Sequence, residues 1–108
     1  MPFVEVNDTQ LFYEEHGSGF PLVLSHGGYS DHTVWDESIP LLSQLYRVIV
    51  FDRRNCGQSG KTSNADTPDL WVQDLYRLMS LLNIRRAYVG GSSFGALTTL
   101  EFATAIGI

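Results

Sequence analysis

The sequence has only one cysteine, Cys56, and only 7 lysine and arginine residues against 12 aspartate and glutamate residues. A single cysteine excludes a scaffold stabilised by internal disulfides. The formal net charge of −5 argues against binding to nucleic acid or to an anionic membrane, because both favour a basic surface. No apolar run approaches the roughly 20 residues of a transmembrane helix, and the N-terminal residues lack the basic and apolar regions of a signal peptide. These absences predict a soluble, cytosolic protein.

The rest of the composition is typical of a folded domain. Hydrophobic residues make up 44% of the 108 residues and aromatic residues 12%, which disfavours intrinsic disorder. The sequence contains no internal repeat, low-complexity segment or linker, so residues 1–108 are expected to belong to one domain.

Short apolar segments alternate along the chain with segments of helical periodicity. Runs typical of strands occupy residues 4–6, 11–15, 20–25, 47–51 and 87–89. Helix-compatible spacing occupies residues 35–45, 70–82 and 96–105, with Pro40 interrupting the first of these. Thr67 and Pro68 supply an N-cap and a first helical residue for the second. This order predicts an α/β fold whose sheet is mostly parallel, with an antiparallel N-terminal hairpin at one edge.

The first candidate for chemistry is the segment Gly91-Ser92-Ser93-Phe94-Gly95, which matches the pattern G-x-S-x-G. A strand precedes it and a helix follows it, so a tight turn would place Ser93 at its apex with the hydroxyl exposed. Gly91 and Gly95 would be needed because a Cβ at either position would clash with the neighbouring turn or helix. The backbone N–H of Phe94 would point towards a developing oxyanion. The alternative is an ordinary glycine-rich turn whose serines cap a helix.

The second candidate is His26-Gly27-Gly28, which directly follows the apolar strand at 20–25. Glycines at this position let a backbone N–H approach a substrate closely, so the Gly28 N–H is a candidate second donor to an oxyanion. For His26 we favour a structural role in the loop over a role as general base. Tyr29, next to this loop, is a candidate wall of the substrate pocket.

The third candidate, Asp52-Arg53-Arg54-Asn55-Cys56-Gly57-Gln58-Ser59, follows the strand at 47–51. Together the three motifs, in this order and context, resemble the N-terminal half of the α/β-hydrolase fold family. They are similar to its small esterase-like members, which carry an HGG segment, a D-x-R-G-x-G-x-S segment and a G-x-S-x-G elbow. Asn55 stands where that family usually has glycine. Because asparagine tolerates positive φ better than other non-glycine residues, we expect the loop geometry to be kept.

The resemblance implies Ser93 as nucleophile, with the backbone amides of Phe94 and Gly28 forming the oxyanion hole. It implies acyl transfer to water from a small ester, lactone, thioester or C–C substrate, with no metal or organic cofactor. Serine at the apex argues against the chemistry of the family's haloalkane dehalogenases and epoxide hydrolases, which use aspartate there. The alternative is a non-catalytic protein that keeps the elbow and loop as a pocket for a ligand or partner. The oligomeric state is left open.

Other residues that could bind a ligand are interpreted as structural. Gly57 to Thr62 contains G-K-T, but the phosphate-binding loop pattern requires glycine where Asn55 stands and a helix from Lys61, so nucleotide binding is not predicted. The three histidines lack metal-ligand spacing and no acidic or cysteine neighbour completes a site, so no metal is expected. Cys56 is interpreted as a loop thiol, and Trp35 and Trp71 as packing residues.

A serine hydrolase also needs a histidine base and an acid that orients it. In the α/β-hydrolase family these follow the serine in the order Asp or Glu, then His. After Ser93 the sequence contains one acid, Glu101, and no histidine. We therefore expect this chain to be the N-terminal portion of a single α/β-hydrolase domain, truncated after the helix that follows the elbow. Alone it should be marginally stable and inactive, with the strand at 87–89 as an exposed edge.

Overall fold

The computed structural model describes residues 3–28, 30–62 and 66–92. They contain five strands, two α-helices and one 3-10 helix. The strands are β1 (Phe3–Val6), β2 (Thr9–His16), β3 (Phe20–Ser25), β4 (Tyr46–Phe51) and β5 (Tyr88–Gly91). The helices are the 3-10 helix His32–Trp35, α1 (Ile39–Leu42) and α2 (Pro68–Leu81). The predictions for Tyr29, Ser93, Phe94, Gly95 and the helix at 96–105 lie outside the described residues.

The five strands form one mixed sheet in the order β1-β2-β4-β3-β5. β3 is parallel to both β4 and β5, whereas β2 is antiparallel to both β1 and β4. The predicted α/β fold, with an antiparallel N-terminal hairpin at one edge, is therefore confirmed. Within the described residues β5 forms the opposite edge, where the Tyr88 side chain is 59% exposed.

The N-terminal hairpin turns at the dipeptide Asn7-Asp8, between β1 and β2. Val6 pairs with Thr9 across the turn, and the backbone of Asn7 has a φ of 39°. Asparagine is one of the few non-glycine residues that adopts positive φ readily, which suits it to this position. The turn also brings the Asn7 side chain against α2, where its Nδ2 donates to Asp74 Oδ1 at 2.8 Å.

The central strand β4 is buried on both faces, as its continuous apolar sequence indicates. Ile49 and Phe51 belong to the core that α2 covers, together with Leu75 and other apolar residues. Val48 and Val50 belong to a second core on the opposite face, together with Ile39 of α1. Successive side chains of a strand point to opposite faces, so this alternation fixes the register of β4 between the two cores.

Helix α2 begins and ends where its sequence predicts. The Thr67 hydroxyl accepts a hydrogen bond from the Leu70 N–H at 3.4 Å, and Pro68 is the first helical residue. Asn83 follows the helix with a φ of 59°, a conformation typical of a residue that ends a helix. The predicted N-cap Thr67 and first helical residue Pro68 are therefore confirmed.

Residues 35–45 do not form one continuous helix, and the helical segment restarts next to Pro40, as the sequence indicated. The chain instead forms the 3-10 helix and, after a turn, the one-turn helix α1. The Asp31 side chain caps the 3-10 helix by accepting from the Thr33 N–H at 2.9 Å. Pro40 lies in the first turn of α1, where its missing N–H costs nothing, but it cannot continue an earlier helix. Among the described residues, no helix has the length and apolar character needed to cross a membrane.

Candidate active site

The three sequence motifs meet at one edge of the sheet. β3, β4 and β5 are mutually parallel, so the segments that follow them leave the sheet at the same side. Ser25, the last residue of β3, is in register with Phe51 of β4 and with Gly91 of β5. The carboxyl ends of parallel strands are the usual place for a ligand in an open α/β sheet. The sheet topology therefore assembles a site from segments far apart in sequence.

A backbone hydrogen bond links the described part of the elbow to the residue that precedes the segment His26-Gly27-Gly28. β5 extends to Gly91, two residues beyond the end of the strand predicted at 87–89. The next residue, Ser92, donates its backbone N–H to the carbonyl of Ser25 at 3.2 Å. Ser92 immediately precedes Ser93, and Ser25 immediately precedes His26. The two segments that contain the predicted nucleophile and Gly28 are therefore joined at their starting points.

His26 is completely buried and is hydrogen-bonded through both ring nitrogens. Its Nε2 accepts from the backbone N–H of Arg53 at 2.9 Å, and its Nδ1 lies 2.5 Å from the Gly27 carbonyl. A backbone N–H can only donate, so Nε2 carries no proton and Nδ1–H donates to the carbonyl. Burial lowers the pKa of His26, and the charge of Arg53 acts in the same direction. These contacts support the structural role that the sequence analysis favoured.

His32 is a site residue that the sequence analysis did not identify. It is 6% exposed, and Asp52 Oδ1 accepts both its backbone N–H at 2.7 Å and its ring Nδ1 at 2.8 Å. Its Nε2 lies 3.4 Å from Glu14 Oε2 on β2. Burial opposes its charge, but the hydrogen bond to Asp52 and the charges of Asp52, Glu14 and Asp31 outweigh it and raise the pKa of His32.

The inference that no acidic group accompanies the histidines was wrong for His32. Asp31, His32 and Asp52 each place a carboxylate oxygen or ring nitrogen within 4.8 Å of those of the other two residues. Sequence spacing could not show this, because Asp52 lies 20 residues from His32. Both oxygens of Asp52 already accept N–H groups, Oδ1 from His32 and Oδ2 from the Gln58 backbone at 2.8 Å. Hydrogen bonds to the Asp52 carboxylate therefore hold this cluster together.

The loop from Asp52 to Thr62 is fixed by hydrogen bonds at several points. The Ser59 hydroxyl donates to the Asp52 carbonyl at 2.5 Å and accepts from the Phe12 N–H at 2.9 Å. Asn55 has a φ of 66°, which confirms that asparagine takes the left-handed conformation here, and its side chain accepts from the Thr62 N–H at 2.7 Å. This loop is therefore a rigid neighbour of the segment that contains Gly28.

Replacing Gly57 by alanine is expected to destabilise this loop. Gly57 has a φ of +49°, and an added Cβ would overlap the Asp52 carboxylate, which cannot move away because His32 and Gln58 hold it. The left-handed conformation alone costs a residue with a Cβ about 1–2 kcal/mol, and we expect a loss of at least this size in the free energy of unfolding. Urea denaturation of the natural protein that carries this chain measures it.

Gly90→Ala provides the control for Gly57→Ala. Gly90 has no positive φ, and the nearest atom to an added Cβ is the flexible end of the Leu24 side chain at 3.2 Å. Its replacement should therefore cost less than that of Gly57. Equal losses for the two variants would contradict the strain that we assign to Gly57.

A cavity of about 690 Å³ opens beside these motifs. Its lining includes Gly28, Arg53, Cys56, Asp66 and Trp71. The Arg53 guanidinium lies 4.5 Å from the centre of the Trp71 ring, and the Trp71 Nε1–H donates to Asp66. Trp71, expected to be a packing residue, thus also forms a wall of this cavity. The Gly28 backbone, the proposed oxyanion donor, borders a space large enough for a small molecule.

The nucleotide-binding alternative does not fit the geometry of residues 57–62. No helix begins at Lys61, since α2 starts at Pro68. The Gly60 N–H donates to the Gln10 carbonyl at 2.8 Å, and the Lys61 Nζ donates to the Gly57 carbonyl at 3.2 Å. A phosphate-binding loop instead directs its backbone N–H groups and lysine at the phosphates.

Known proteins with similar sequences and structures support the same assignment of fold. A family model described as "alpha/beta hydrolase fold" matches residues 21–105. The chain belongs to the α/β-hydrolase fold family. It is 35% identical to a non-heme haloperoxidase of Rhodococcus erythropolis over 88% of its length. It is 32% identical to a soluble epoxide hydrolase of Corynebacterium over 91% of its length. The crystal structure of the enol-lactonase from Burkholderia xenovorans superposes with a TM-score of 0.91 over 94% of the chain, at 32% identity.

This α/β-hydrolase chain spans only part of the length of these relatives. It covers 35% of the haloperoxidase, 34% of the epoxide hydrolase and 41% of the enol-lactonase chain. The relatives share a fold and carry the names of different activities. Membership of the family is therefore established for residues 21–105, and the reaction and substrate have to be argued from the residues of this chain.

Proposed function

We propose that this α/β-hydrolase is a serine hydrolase that transfers the acyl group of a small ester-like substrate to water. Ser93 acts as the nucleophile, and the backbone amides of Gly28 and Phe94 stabilise the oxyanion. The observation that carries the proposal is the hydrogen bond from the Ser92 N–H to the Ser25 carbonyl at 3.2 Å. It joins the start of the elbow to the start of the segment that contains Gly28, which an oxyanion hole built from both segments requires.

In the proposed reaction the Ser93 Oγ attacks the acyl carbon and its proton passes to a base. The carbonyl oxygen becomes an oxyanion that accepts from the two backbone amides. The alcohol or enol then leaves with a proton, and water releases the acyl group from Ser93 in a second addition. The base is not His26, whose Nε2 accepts from Arg53 and whose other nitrogen faces Gly27. From the family's order of serine, acid and histidine, we expect the base to lie outside these 108 residues.

The residue at the apex of the elbow distinguishes ester-like substrates from epoxides. One relative is named a soluble epoxide hydrolase and another an enol-lactonase. Family members that open epoxides use an aspartate at the apex, and this chain has Ser93 there. A serine alkoxide suits an acyl carbon that can form a tetrahedral oxyanion. We therefore favour small esters and lactones as substrates. They would enter the cavity that Gly28 borders. A cytosolic location remains a prediction.

Covalent labelling with a fluorophosphonate probe tests the proposed nucleophile. The probe should label the natural protein that carries this chain, and peptide mass spectrometry should locate the adduct on Ser93. Heat-denatured protein should not react, because activation of the serine needs the folded site. The 108-residue chain alone should give no adduct, since it contains no histidine after Ser93.

An unlabelled protein would reject the catalytic assignment, provided that a known serine hydrolase in the same tube reacts. It would favour the non-catalytic alternative, in which the elbow and loop hold a ligand or partner. An adduct confined to another residue would reject Ser93 as the nucleophile while leaving hydrolase activity standing.

A further inference from the structure

We propose that His26 and His32 are positioning residues that together hold the oxyanion segment, residues 26–28 and 30–32, in place, and that they hold it most firmly while His26 is neutral and His32 is protonated. The inference rests on the proposed function for its catalytic consequence. Its structural part depends only on contacts among described residues. The two histidines bracket the segment that contains Gly28, and each is bonded to one of two consecutive residues, Asp52 and Arg53.

The N-terminal end of the oxyanion segment is held by an imidazole acceptor. The Arg53 N–H donates to His26 Nε2 at 2.9 Å, inside a site where His26 is fully buried. A proton on Nε2 would oppose this donor and leave two N–H groups facing each other without a partner. The buried hydrogen bond between Arg53 and His26 would be lost in this way. Protonation of His26 therefore detaches the segment from Arg53.

The C-terminal end of the oxyanion segment is held by an imidazolium. Asp52 Oδ1 fixes the proton on His32 Nδ1, at 2.8 Å. The other ring nitrogen faces the Glu14 carboxylate at 3.4 Å, so only a ring protonated on both nitrogens has a favourable partner on each side. The neutral ring would direct the lone pair of Nε2 at a carboxylate oxygen. Deprotonation of His32 therefore weakens its link to β2.

The charged groups around each ring explain why His26 favours its neutral form and His32 its protonated form. His32 faces carboxylates from three segments: Glu14 of β2, Asp52 after β4, and Asp31 beside it. Around His26, the Arg53 charge opposes protonation, while the more weakly acting Asp52 and Asp31 favour it. His16 shares Glu14 with His32, its Nε2 lying 3.0 Å from Glu14 Oε1. Among the described residues, these carboxylates and Arg53 are the charged groups with the strongest effect on the two rings.

The two pKa shifts have opposite consequences for stability. The pKa of His26 is lowered from 6.5, so its contribution is complete above pH 6.5 and is lost as the pH falls through the folded pKa. The pKa of His32 is raised from 6.5, so its contribution is complete below pH 6.5 and is lost as the pH rises through the folded pKa. The sum is largest near pH 6.5 and falls on both sides.

Urea denaturation of the natural protein between pH 5 and 8.5 tests the proposal. Two variants keep one hydrogen bond each without titrating. In His26→Gln the amide oxygen replaces Nε2 as the acceptor, and in His32→Asn the amide N–H replaces Nδ1 as the donor. We expect His26→Gln to lose the acid-side decline in stability and His32→Asn to lose the alkaline-side decline. The half-buried His16 lies outside the oxyanion segment, so the control variant His16→Gln should keep both declines.

Nitrogen-15 NMR of the unmodified protein keeps the test valid even when a variant fails to fold. At pH 6.5 the His26 ring should show a proton on Nδ1 alone, and the His32 ring should show protons on both nitrogens. A protonated His26 or a neutral His32 at this pH overturns the proposal. So does a His32→Asn protein whose alkaline decline matches that of the unmodified protein.

Kinetics separate a positioning role from a merely structural one. Because oxyanion donors act mainly in the transition state, a less firmly held segment should lower kcat while leaving KM nearly unchanged. In the unmodified protein kcat should therefore fall more steeply above pH 7 than in His32→Asn. If the protein hydrolyses no ester at any pH yet keeps both stability declines, the proposed function fails and the histidine assignment stands. Equal kcat profiles in the two proteins would overturn the positioning role.

Discussion

Replacing Ser93 by alanine should lower kcat for ester hydrolysis by roughly 10⁴- to 10⁶-fold, because removing the nucleophile of a serine hydrolase leaves only the binding and oxyanion contributions. The protein to be measured is the natural one that carries this chain, with p-nitrophenyl acetate or a small lactone as substrate. KM should change little, since the oxygen that is removed takes part in the reaction rather than in substrate binding.

Ser92→Ala is the matched control for Ser93→Ala. Ser92 is the neighbouring serine, its side chain is exposed, and its described contact with Ser25 uses the backbone N–H, which alanine retains. Its replacement should leave kcat within a few-fold of the unmodified protein. If Ser92→Ala loses as much activity as Ser93→Ala, the losses reflect a damaged elbow rather than a missing nucleophile. If Ser93→Ala keeps its activity, the proposed mechanism is wrong.

The fold was predictable from the sequence because its signals are local. Thr67 and Pro68 mark the start of α2, and the continuous apolar run of β4 marks a strand buried on two faces. The hairpin turn and Asn55 likewise depend on what asparagine tolerates at positive φ. At residues 35–45 Pro40 indicated an interruption, but apolar spacing alone did not define the bounds of the two short helices.

The candidate site was predictable only in part. The glycines of the oxyanion segment and of the elbow have local signatures, and the parallel sheet brings these segments together. The role of His32 depends on Asp52, 20 residues away, and on Glu14 of another strand. The cavity wall formed by Trp71 likewise depends on where α2 packs, because Arg53 and Asp66, which contact Trp71, lie in other segments. Charges that pair across elements leave no periodic pattern in a sequence.

The buried ion pair between Arg54 and Asp74 is the clearest case of such long-range pairing. The Arg54 side chain is fully buried, and its Nε and Nη2 lie 2.6 Å and 2.9 Å from the two oxygens of Asp74 on α2. Asp8 of the hairpin turn accepts a further hydrogen bond from Nη2 at 2.8 Å. The hydrogen bonds that Arg54 donates to Asp74 raise the pKa of Arg54 further, so it stays charged. One arginine thus joins the loop after β4 to α2 and the hairpin.

Asp74→Ala is expected to lower the free energy of unfolding by about 3–5 kcal/mol, because it leaves a buried arginine without its main counter-ion. Urea denaturation at pH 7 measures the loss. Glu15→Ala is the control, since Glu15 pairs with Arg47 at 2.8 Å on the surface, with side chains 36% and 27% exposed. Exposed pairs contribute about 0–1 kcal/mol, so this variant should remain close to the unmodified protein.

The double variant Arg54→Met with Asp74→Leu separates the cost of an unpaired charge from the value of the pair. Replacing a buried ion pair by apolar side chains of similar volume is often neutral or stabilising. We therefore expect the double variant to recover most of the stability that Asp74→Ala loses, although Asp8 and Asn7 then lose a partner at their partly exposed positions. If the double variant is as unstable as Asp74→Ala, the pair itself stabilises the junction of α2, the hairpin and the loop after β4. If Asp74→Ala costs no more than Glu15→Ala, Arg54 has reached water or Asp8 in compensation, and the buried pair is dispensable.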